Sequence, residues 1–193
     1  MSELFSIQLQ NRQQQGRDGV WLDLPTTTEQ VQAALRQIGI SSDNPQGLFI
    51  SGYFAEEEKR FAIPYNMVLA SNVDELNFLA SRLETLSTGE RAELNAALQA
   101  PQSELFSIGR ITDFPENVDY YVHLPDVHGP AQLGDYYLNR SGMVDMPEEW
   151  KGGIDTAQFG RYVAQQEQGV FTEYGYLVKS GDAWQKVHEG QPV

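Results

Sequence analysis

The chain contains no cysteine among its 193 residues, which excludes disulfide bonds, zinc–thiolate centres and cysteine nucleophiles. It has no apolar run of about 18 residues, so no segment is predicted to span a membrane. The opening segment, MSELFSIQLQ, lacks the basic and apolar regions of a signal peptide. These absences predict a cytoplasmic protein with no membrane partner.

Positive charge is scarce in this sequence. Lysine and arginine number 13 against 27 aspartates and glutamates, and the formal net charge is −14. Phosphate groups are bound by clusters of Lys and Arg, and the sequence has no such cluster. We therefore expect neither nucleic acid nor anionic lipid as a direct ligand. Either the acidity serves solubility alone, or it is complementary to a basic protein partner.

Motifs of catalytic chemistry are also missing. The sequence has no G-x-S-x-G, no P-loop and no G-x-G-x-x-G. In the segment HLPDVH, His123 and His128 flank Asp126, and such a set can bind a metal, but the neighbouring proline and glycine predict a loop without further ligands. Glu148 and Glu149 could serve acid–base chemistry, although a solvated pair is the simpler interpretation. We predict no catalytic residue, metal or cofactor, and hence a protein that is not an enzyme.

The chain does contain a long acidic stretch. From Asp113 to Glu149 there are eight acidic residues and one base, Arg140, together with several aromatic residues. Disordered acidic tails are poor in aromatics and dense in like charge. The stretch therefore predicts an ordered scaffold that holds carboxylates apart and presents them to a basic partner. The candidate partner-binding residues are Asp113, Glu116, Asp119, Asp126, Asp135, Asp145, Glu148, Glu149 and Asp155.

The periodicity of apolar residues predicts an α+β fold in three modules. The first module, residues 1–62, should have the order β-β-α-β. The second, residues 63–102, should hold two helices, capped by Asn72 and Ser87, that pack antiparallel. The third, residues 103–193, should again be mixed. The predicted elements of the first module are strands at 5–9, 20–22 and 48–54 and a helix that starts at 26–28 and stops at Gly39.

For the third module we predict a strand, two helices and a closing hairpin. Asp155 should cap the second helix, and the tail from His188 should fray. Ser103–Ile108 repeats Ser2–Ile7 letter for letter, which indicates either duplicated units or chance and convergent strand patterning. The predicted elements are a strand at 118–124, a helix at 133–138 ending near Gly142, a helix from 155 towards 169, and strands at 170–178 and 184–187 joined by a turn at 180–182.

Several large aromatic residues lie at near-helical spacing or inside predicted elements. Such positions are more typical of core packing or of dimer contacts than of a ligand-binding cage. We therefore assign them no role in binding a small molecule. These residues are Trp21, Tyr136, Tyr137, Trp150, Phe159 and Tyr162.

Three blocks of the sequence resemble the ArdA antirestriction proteins. Val20–Leu24 and Asn72–Asn77 are similar to an N-terminal strand and to the start of a central helix in that family. The longest block, Gly134–Val178, resembles its C-terminal part. The matching motifs there are Tyr136-Tyr137, Gly142, Pro147, Ile154-Asp155, Phe159-Gly160-Arg161 and Gly169-Val170-Phe171.

The resemblance implies an elongated chain of three small modules and a homodimer whose surface mimics the shape and charge of bent duplex DNA. Such proteins occupy the DNA-binding channel of type I restriction-modification enzymes and protect incoming mobile DNA, such as a conjugative transposon, from cleavage. The resemblance also implies a motif linked to dimerisation around Asp126–Gly142. Tyr136, Tyr137 and Leu138 are therefore the candidate dimer contacts.

Two other functions stay open at this point. The chain could be a non-inhibitory acidic interaction protein of a mobile element that keeps an ArdA-like fold. It could also be a small enzyme that uses a carboxylate or the His123–His128 loop, and a concave pocket should then surround these groups. A convex acidic surface at that place would count against the enzyme.

Overall fold

The computed structural model describes residues 3–14, 18–41, 45–57, 60–101 and 103–188. Two compact units account for the described residues. The N-terminal unit takes its residues from Met1–Ser87, Leu105–Glu116 and Lys186–Val193, and the C-terminal unit from Thr88–Glu104 and Asn117–Gln185. The mixed α and β composition agrees with the predicted class, whereas the three-module arrangement is not confirmed and stays a prediction.

An antiparallel sheet of order β2-β1-β3 forms the base of the N-terminal unit. Phe5, Ile7 and Leu9 of its central strand are buried, as their alternation in the sequence predicts. The predicted order β-β-α-β is therefore confirmed. The elements are β1 (Phe5–Asn11), β2 (Val20–Leu24), α1 (Thr28–Gln37), a 3₁₀ turn (Pro45–Gly47) and β3 (Leu48–Phe54).

Capping side chains set where the helices of this unit begin. The Thr27 hydroxyl accepts a hydrogen bond from the Gln30 backbone N–H in a capping box, and Asn72 accepts one from the Glu75 N–H at 2.8 Å. Gly39 follows α1 at a φ of +70°, a left-handed conformation that favours glycine. The further helices of the unit are α2 (Tyr65–Leu69), α3 (Val73–Leu83) and α5 (Ile108–Thr112), followed by a 3₁₀ turn (Phe114–Glu116).

A second antiparallel sheet, of order β4-β6-β5, lies in the C-terminal unit. The helix capped by Asp155 is confirmed, since the Asp155 carboxylate accepts a hydrogen bond from the Gln158 N–H at 3.0 Å. The elements are α4 (Thr88–Gln99), a 3₁₀ turn (Val118–Tyr120), β4 (Tyr121–Leu124), α6 (Pro130–Asp135), a π-helical turn (Tyr136–Arg140), α7 (Glu148–Lys151), α8 (Thr156–Glu167), β5 (Val170–Thr172) and β6 (Gly175–Lys179).

Helices α3 and α4 confirm the two predicted helical segments of the central region, but the boundary between the compact units falls between them, at Ser87 and Thr88. Helix α3 packs on α5 within the N-terminal unit, and α4 packs on β6 within the C-terminal unit. Among the described residues no helix is long and apolar enough to cross a membrane.

The repeated hexapeptide does not repeat its structure. In the first copy Phe5–Ile7 belongs to strand β1, while Ser2 lies outside the described residues. In the second copy Ser107 accepts a hydrogen bond from the Arg110 backbone N–H and starts helix α5 at Ile108. Strand patterning is therefore wrong for the second copy, because the residues that follow it provide a helix and not a strand partner.

The closing hairpin turns earlier than the sequence predicts. Strands β5 and β6 pair with Thr172 opposite Gly175, so the turn lies at Glu173–Tyr174 and not at 180–182. The residues 184–187 form no strand; Trp184 instead packs edge-on against Tyr120, with ring centroids 5.1 Å apart. The predicted strand at 118–124 is shorter than expected, because Val118–Tyr120 form a 3₁₀ turn and β4 begins at Tyr121.

The prediction of a frayed tail is wrong at His188. Its backbone N–H and its ring Nδ1 each lie 2.8 Å from Oδ1 of the buried Asp113 carboxylate. Its ring packs edge-on against Phe78 at a centroid distance of 5.1 Å. The rest of the predicted tail, residues 189–193, lies outside the described residues.

Two glycines allow α6 and α8 to pack backbone to backbone. A Cβ atom on Gly160 would overlap the carbonyl oxygen of Pro130, and one on Gly134 would overlap the carbonyl oxygen of Thr156. Both glycines are buried in the chain. Backbone atoms offer no rotamer that could move aside, so this contact requires glycine at both positions.

We predict that Gly160→Ala lowers the free energy of unfolding by about 2 kcal/mol, because overpacking the backbone contact outweighs the better helix propensity of alanine. Urea unfolding followed by circular dichroism measures the change. Gly89→Ala is the control, since a Cβ on Gly89 in α4 would meet nothing within 4 Å. Equal stability of the two variants would contradict the proposed close contact.

Candidate partner-binding surface

Most of the predicted acidic residues are exposed and come from loops and element ends of the C-terminal unit. Asp119 lies in the 3₁₀ turn before β4, Asp126 follows β4, and Asp145 precedes α7. Glu148 and Glu149 form the first turn of α7, where their negative charge is favourable next to the helix N-terminus. These carboxylates thus come from several separate elements and loops of the unit.

Asp113 does not belong to this surface, and its assignment is corrected here. Its exposed fraction is 0%, and the carboxylate accepts hydrogen bonds from His188. A buried carboxylate inside a hydrogen-bonding network holds structure together and presents no charge to a partner. This role could not be predicted from the sequence, because His188, which contacts Asp113, is 75 residues away along the chain.

Three of the predicted carboxylates are compensated by the chain itself. Glu116 forms an ion pair with Arg82, and Glu148 with Lys151 at 2.7 Å. Asp135 accepts hydrogen bonds from Asn139 at 2.8 Å and from Arg140 at 2.6 Å. These bonds, that of Asn139 first, hold the pKa of the Asp135 carboxyl below its usual range.

Four of the nine predicted acidic residues have exposed carboxylates that remain available to a partner. In the part of the chain that the structure describes, no ion pair involves Asp119, Asp126, Asp145 or Glu149. Asp155 is exposed as well, but one of its oxygens caps α8. Because no cation of the chain competes for them, these four are the strongest candidates for contact with a basic protein.

A buried carboxyl that the sequence did not indicate lies beside this surface. Glu93 of α4 has one carboxyl oxygen, Oε1, that is inaccessible and lacks a hydrogen-bond partner among the described residues. Burial, and then the nearby carboxylates of Glu90 and Asp119, raise the pKa of Glu93 to about 8. Glu93 therefore keeps its proton at neutral pH and adds no negative charge there.

Of the candidate dimer contacts in the C-terminal unit, Leu138 is buried, whereas Tyr136 and Tyr137 are half-buried. Leu138 is only 3% exposed. The Tyr137 hydroxyl donates to Glu167 Oε2 at 2.8 Å, and the Tyr176 hydroxyl donates to Glu167 Oε1 at 2.8 Å. Burial, and then the Glu167 carboxylate, raise the pKa of both phenols. Tyr136 packs edge-on against Tyr137, and the dimer itself stays a prediction.

Three of the predicted core aromatics are exposed. Trp21 is 50%, Trp150 67% and Tyr162 60% exposed, so the prediction of core packing is wrong for them. Near-helical spacing cannot distinguish an inward from an outward position when the partner of the helix face is unknown. A role in dimer contacts is untested for these residues.

The segment of the two histidines is partly structural. His123 lies on β4 with Nε2 2.7 Å from the Tyr174 carbonyl oxygen, and His128 is exposed. Across the described ranges, no group of three His, Cys, Asp or Glu residues is arranged to hold a metal ion. The three described cavities are lined by residues other than these histidines and Asp126.

The model of one protein family, antirestriction protein (ArdA), matches residues 15–178 of the chain. The chain belongs to the ArdA family. This confirms the resemblance carried by the three sequence blocks, and membership implies an antirestriction function. No curated protein matches the chain.

The ArdA motifs of the C-terminal block act mainly on the fold. Gly160 allows the contact between α6 and α8, and a Cβ on Gly169 would overlap the Tyr176 ring. Gly142 has a φ of +70°, and Asp155 caps α8. The residues that reveal the family are therefore different from the exposed carboxylates that would meet a partner.

We predict that Glu93→Gln flattens the pH dependence of stability. The folded protein keeps the Glu93 proton up to a pH of about 8, whereas the unfolded chain releases it near 4.5. The free energy of unfolding of the parent should therefore fall as pH rises through this interval. Urea unfolding at several pH values measures this slope. Replacement of the exposed Glu173 by Gln should leave the slope unchanged, and an unchanged slope in Glu93→Gln would refute the assignment.

Proposed function

We propose that this protein is an acidic DNA mimic that binds and competitively blocks the DNA-binding channel of type I restriction-modification enzymes, and so protects incoming mobile DNA. The observation that carries the proposal is the set of exposed carboxylates without internal cations in an ArdA family member: Asp119, Asp126, Asp145 and Glu149. The exposed Asp155, which caps α8, extends this set, whereas Glu148 and Asp135 lie outside it because they pair with Lys151 and Arg140.

The physical basis is the replacement of phosphates by carboxylates. A DNA-binding channel is lined by Lys and Arg that are held for phosphate contacts, and spaced carboxylates can pair with the same side chains. Because such ion pairs would be formed by exposed side chains, dissolved salt should screen them strongly. Binding should therefore exclude DNA and weaken steeply as ionic strength rises.

We also propose that the active form is a homodimer that acts in the cytoplasm as an inhibitor and not as an enzyme. Two chains at −14 each give about the charge of 14 base pairs, since duplex DNA carries one charge per ~1.7 Å. Tyr136 and the exposed side chains near it are better placed for the dimer contact than Leu138, whose side chain is buried in its own chain.

The decisive experiment is competition with DNA. Fluorescent duplex DNA bound to a type I methyltransferase core is titrated with the purified protein at low and at near-physiological salt. Stoichiometric displacement that weakens with salt is the expected result. Absence of displacement from several such enzymes would contradict the proposal and favour a non-inhibitory acidic interaction protein with the same fold.

We predict that neutralising the four free carboxylates together, in the variant Asp119→Asn, Asp126→Asn, Asp145→Asn and Glu149→Gln, weakens inhibition about 30-fold. This estimate assigns roughly 0.5 kcal/mol to each exposed ion pair. The inhibition constant in the competition assay gives the change, and circular dichroism checks the fold.

The matched control removes the same number of charges from exposed residues of the N-terminal unit. It combines Asp18→Asn, Glu56→Gln, Glu57→Gln and Asp74→Asn. If only total charge matters, both variants lose the same affinity, and the proposed binding surface is wrong. If the four free carboxylates form the contact, the control keeps most of its inhibition.

A further inference from the structure

A cavity of about 500 Å³ lies within the N-terminal unit, beside β2 and the start of α1. Its volume falls in the range of roughly 300–1,000 Å³ that is typical of ligand-binding clefts. It combines an aromatic wall with two carboxylates. The lining residues are Glu3, Trp21, Leu22, Asp23, Pro25, Thr26 and Gln30.

The strand register places the key side chains of the cavity on one face of the sheet. Trp21 and Asp23 are two residues apart on β2 and therefore point to the same side. They stand opposite Gln8 and Ser6 of β1, respectively. A Cβ on Gly52, the β3 residue paired with Gln8, would lie 3.0 Å from the Trp21 ring. The indole thus lies close over the sheet and still has half of its surface exposed.

One hydroxyl proton serves both carboxylates of the cavity. The Ser6 hydroxyl lies 2.8 Å from Asp23 Oδ1 and 3.3 Å from Glu3 Oε1. Since a serine hydroxyl donates a single proton, it satisfies only one of these acceptors at a time. Among the described residues, neither Glu3 nor Asp23 forms an ion pair. The cavity therefore contains two carboxylates without an ion-pair partner in the described chain, and it has space for a positively charged group.

The backbone beside the cavity, at Thr26 and at the start of β1, is held by hydrogen bonds. Asn77 of α3 accepts from the Thr26 N–H at 2.7 Å and donates to the Thr26 carbonyl at 3.0 Å. The Leu4 N–H donates to the Leu24 carbonyl at 2.8 Å and extends the pairing of β1 with β2. A backbone that is held in this way needs little rearrangement on binding, which favours affinity.

We propose that this cavity binds the guanidinium group of an arginine side chain on a protein partner, with the group stacked on Trp21 and hydrogen-bonded to Glu3 and Asp23. Guanidinium is planar, stacks on aromatic faces and offers donors to more than one carboxylate, whereas the ammonium of lysine is a point charge with no flat face. The inference does not depend on the proposed function, because it concerns different residues in the other unit.

Titration with capped amino acids tests the inference on the full chain. N-acetyl-L-arginine methylamide is added to ¹⁵N-labelled protein, and the Trp21 indole N–H resonance is followed, with the signals of Trp150 and Trp184 as internal references. We expect saturable shifts of the Trp21 signal with a dissociation constant of about 1–10 mM, as suits one stacked and ion-paired group. The citrulline analogue, which has nearly the same shape but no charge, should not bind.

Variants then identify the residues responsible. The double variant Glu3→Gln with Asp23→Asn should weaken arginine binding by about 10-fold or more, the loss of about 1.4 kcal/mol. The control, Asp18→Asn with Glu57→Gln, removes the same charge from exposed residues of the same unit and should bind as the parent does. Trp21→Leu should weaken the binding of arginine more than that of lysine. Because this variant lacks the indole signal, its binding is followed by the backbone amide resonances of Asp23 and Thr26, and the remaining backbone resonances check the fold.

The outcomes separate cleanly. Equal binding of arginine and citrulline, or no shift of the Trp21 signal, overturns the inference. Stronger binding of capped lysine than of capped arginine also overturns it, since the stacking on Trp21 would then be irrelevant. In each of these cases the competition experiment with DNA can still succeed, so failure of this inference is distinguishable from failure of the proposed function.

Discussion

The close contact between α6 and α8 is the constraint on which the C-terminal unit depends. With glycine at positions 134 and 160, backbone meets backbone, and Glu167 at the end of α8 comes within reach of two tyrosine hydroxyls. Those hydroxyls satisfy the half-buried Glu167 carboxylate, which would otherwise be costly to bury. Most other acidic residues of the unit are exposed, so that the interior packing and the surface charge are parts of the same arrangement.

This arrangement explains how a strongly acidic chain stays folded. Like charges at the surface repel one another and oppose the compact state, and several carboxylates are relieved locally by Arg82, Arg140 or Lys151. Other exposed carboxylates have no ion pair among the described residues, as the proposed contact with a basic partner requires. The stability of the folded chain therefore depends on packing and buried hydrogen bonds more than on its surface ion pairs, which are individually weak.

Local patterns predicted those parts of the fold that local physics decides. Alternating Phe5, Ile7 and Leu9 gave the central strand, and side-chain caps such as Asn72 gave the helix starts. The sequence-based prediction failed where a distant residue decides, since His188 contacts the buried Asp113. It also failed for the second SELFSI copy, where the Ser107 cap starts a helix. The acidic character of the candidate surface was predictable from composition, whereas the distinction between free, paired and buried carboxylates required the three-dimensional contacts.

The pair formed by Asp113 and His188 has a consequence for how the protein is made and dissected. Although the N-terminal unit contains the start of the chain, it includes His188, which emerges from the ribosome after the whole C-terminal unit. The N-terminal unit therefore acquires this contact only after the residues of the C-terminal unit have been synthesised. A fragment that stops before residue 188 deprives a fully buried carboxylate of two hydrogen-bond donors, so the two units are not separable by a single cut in the gene.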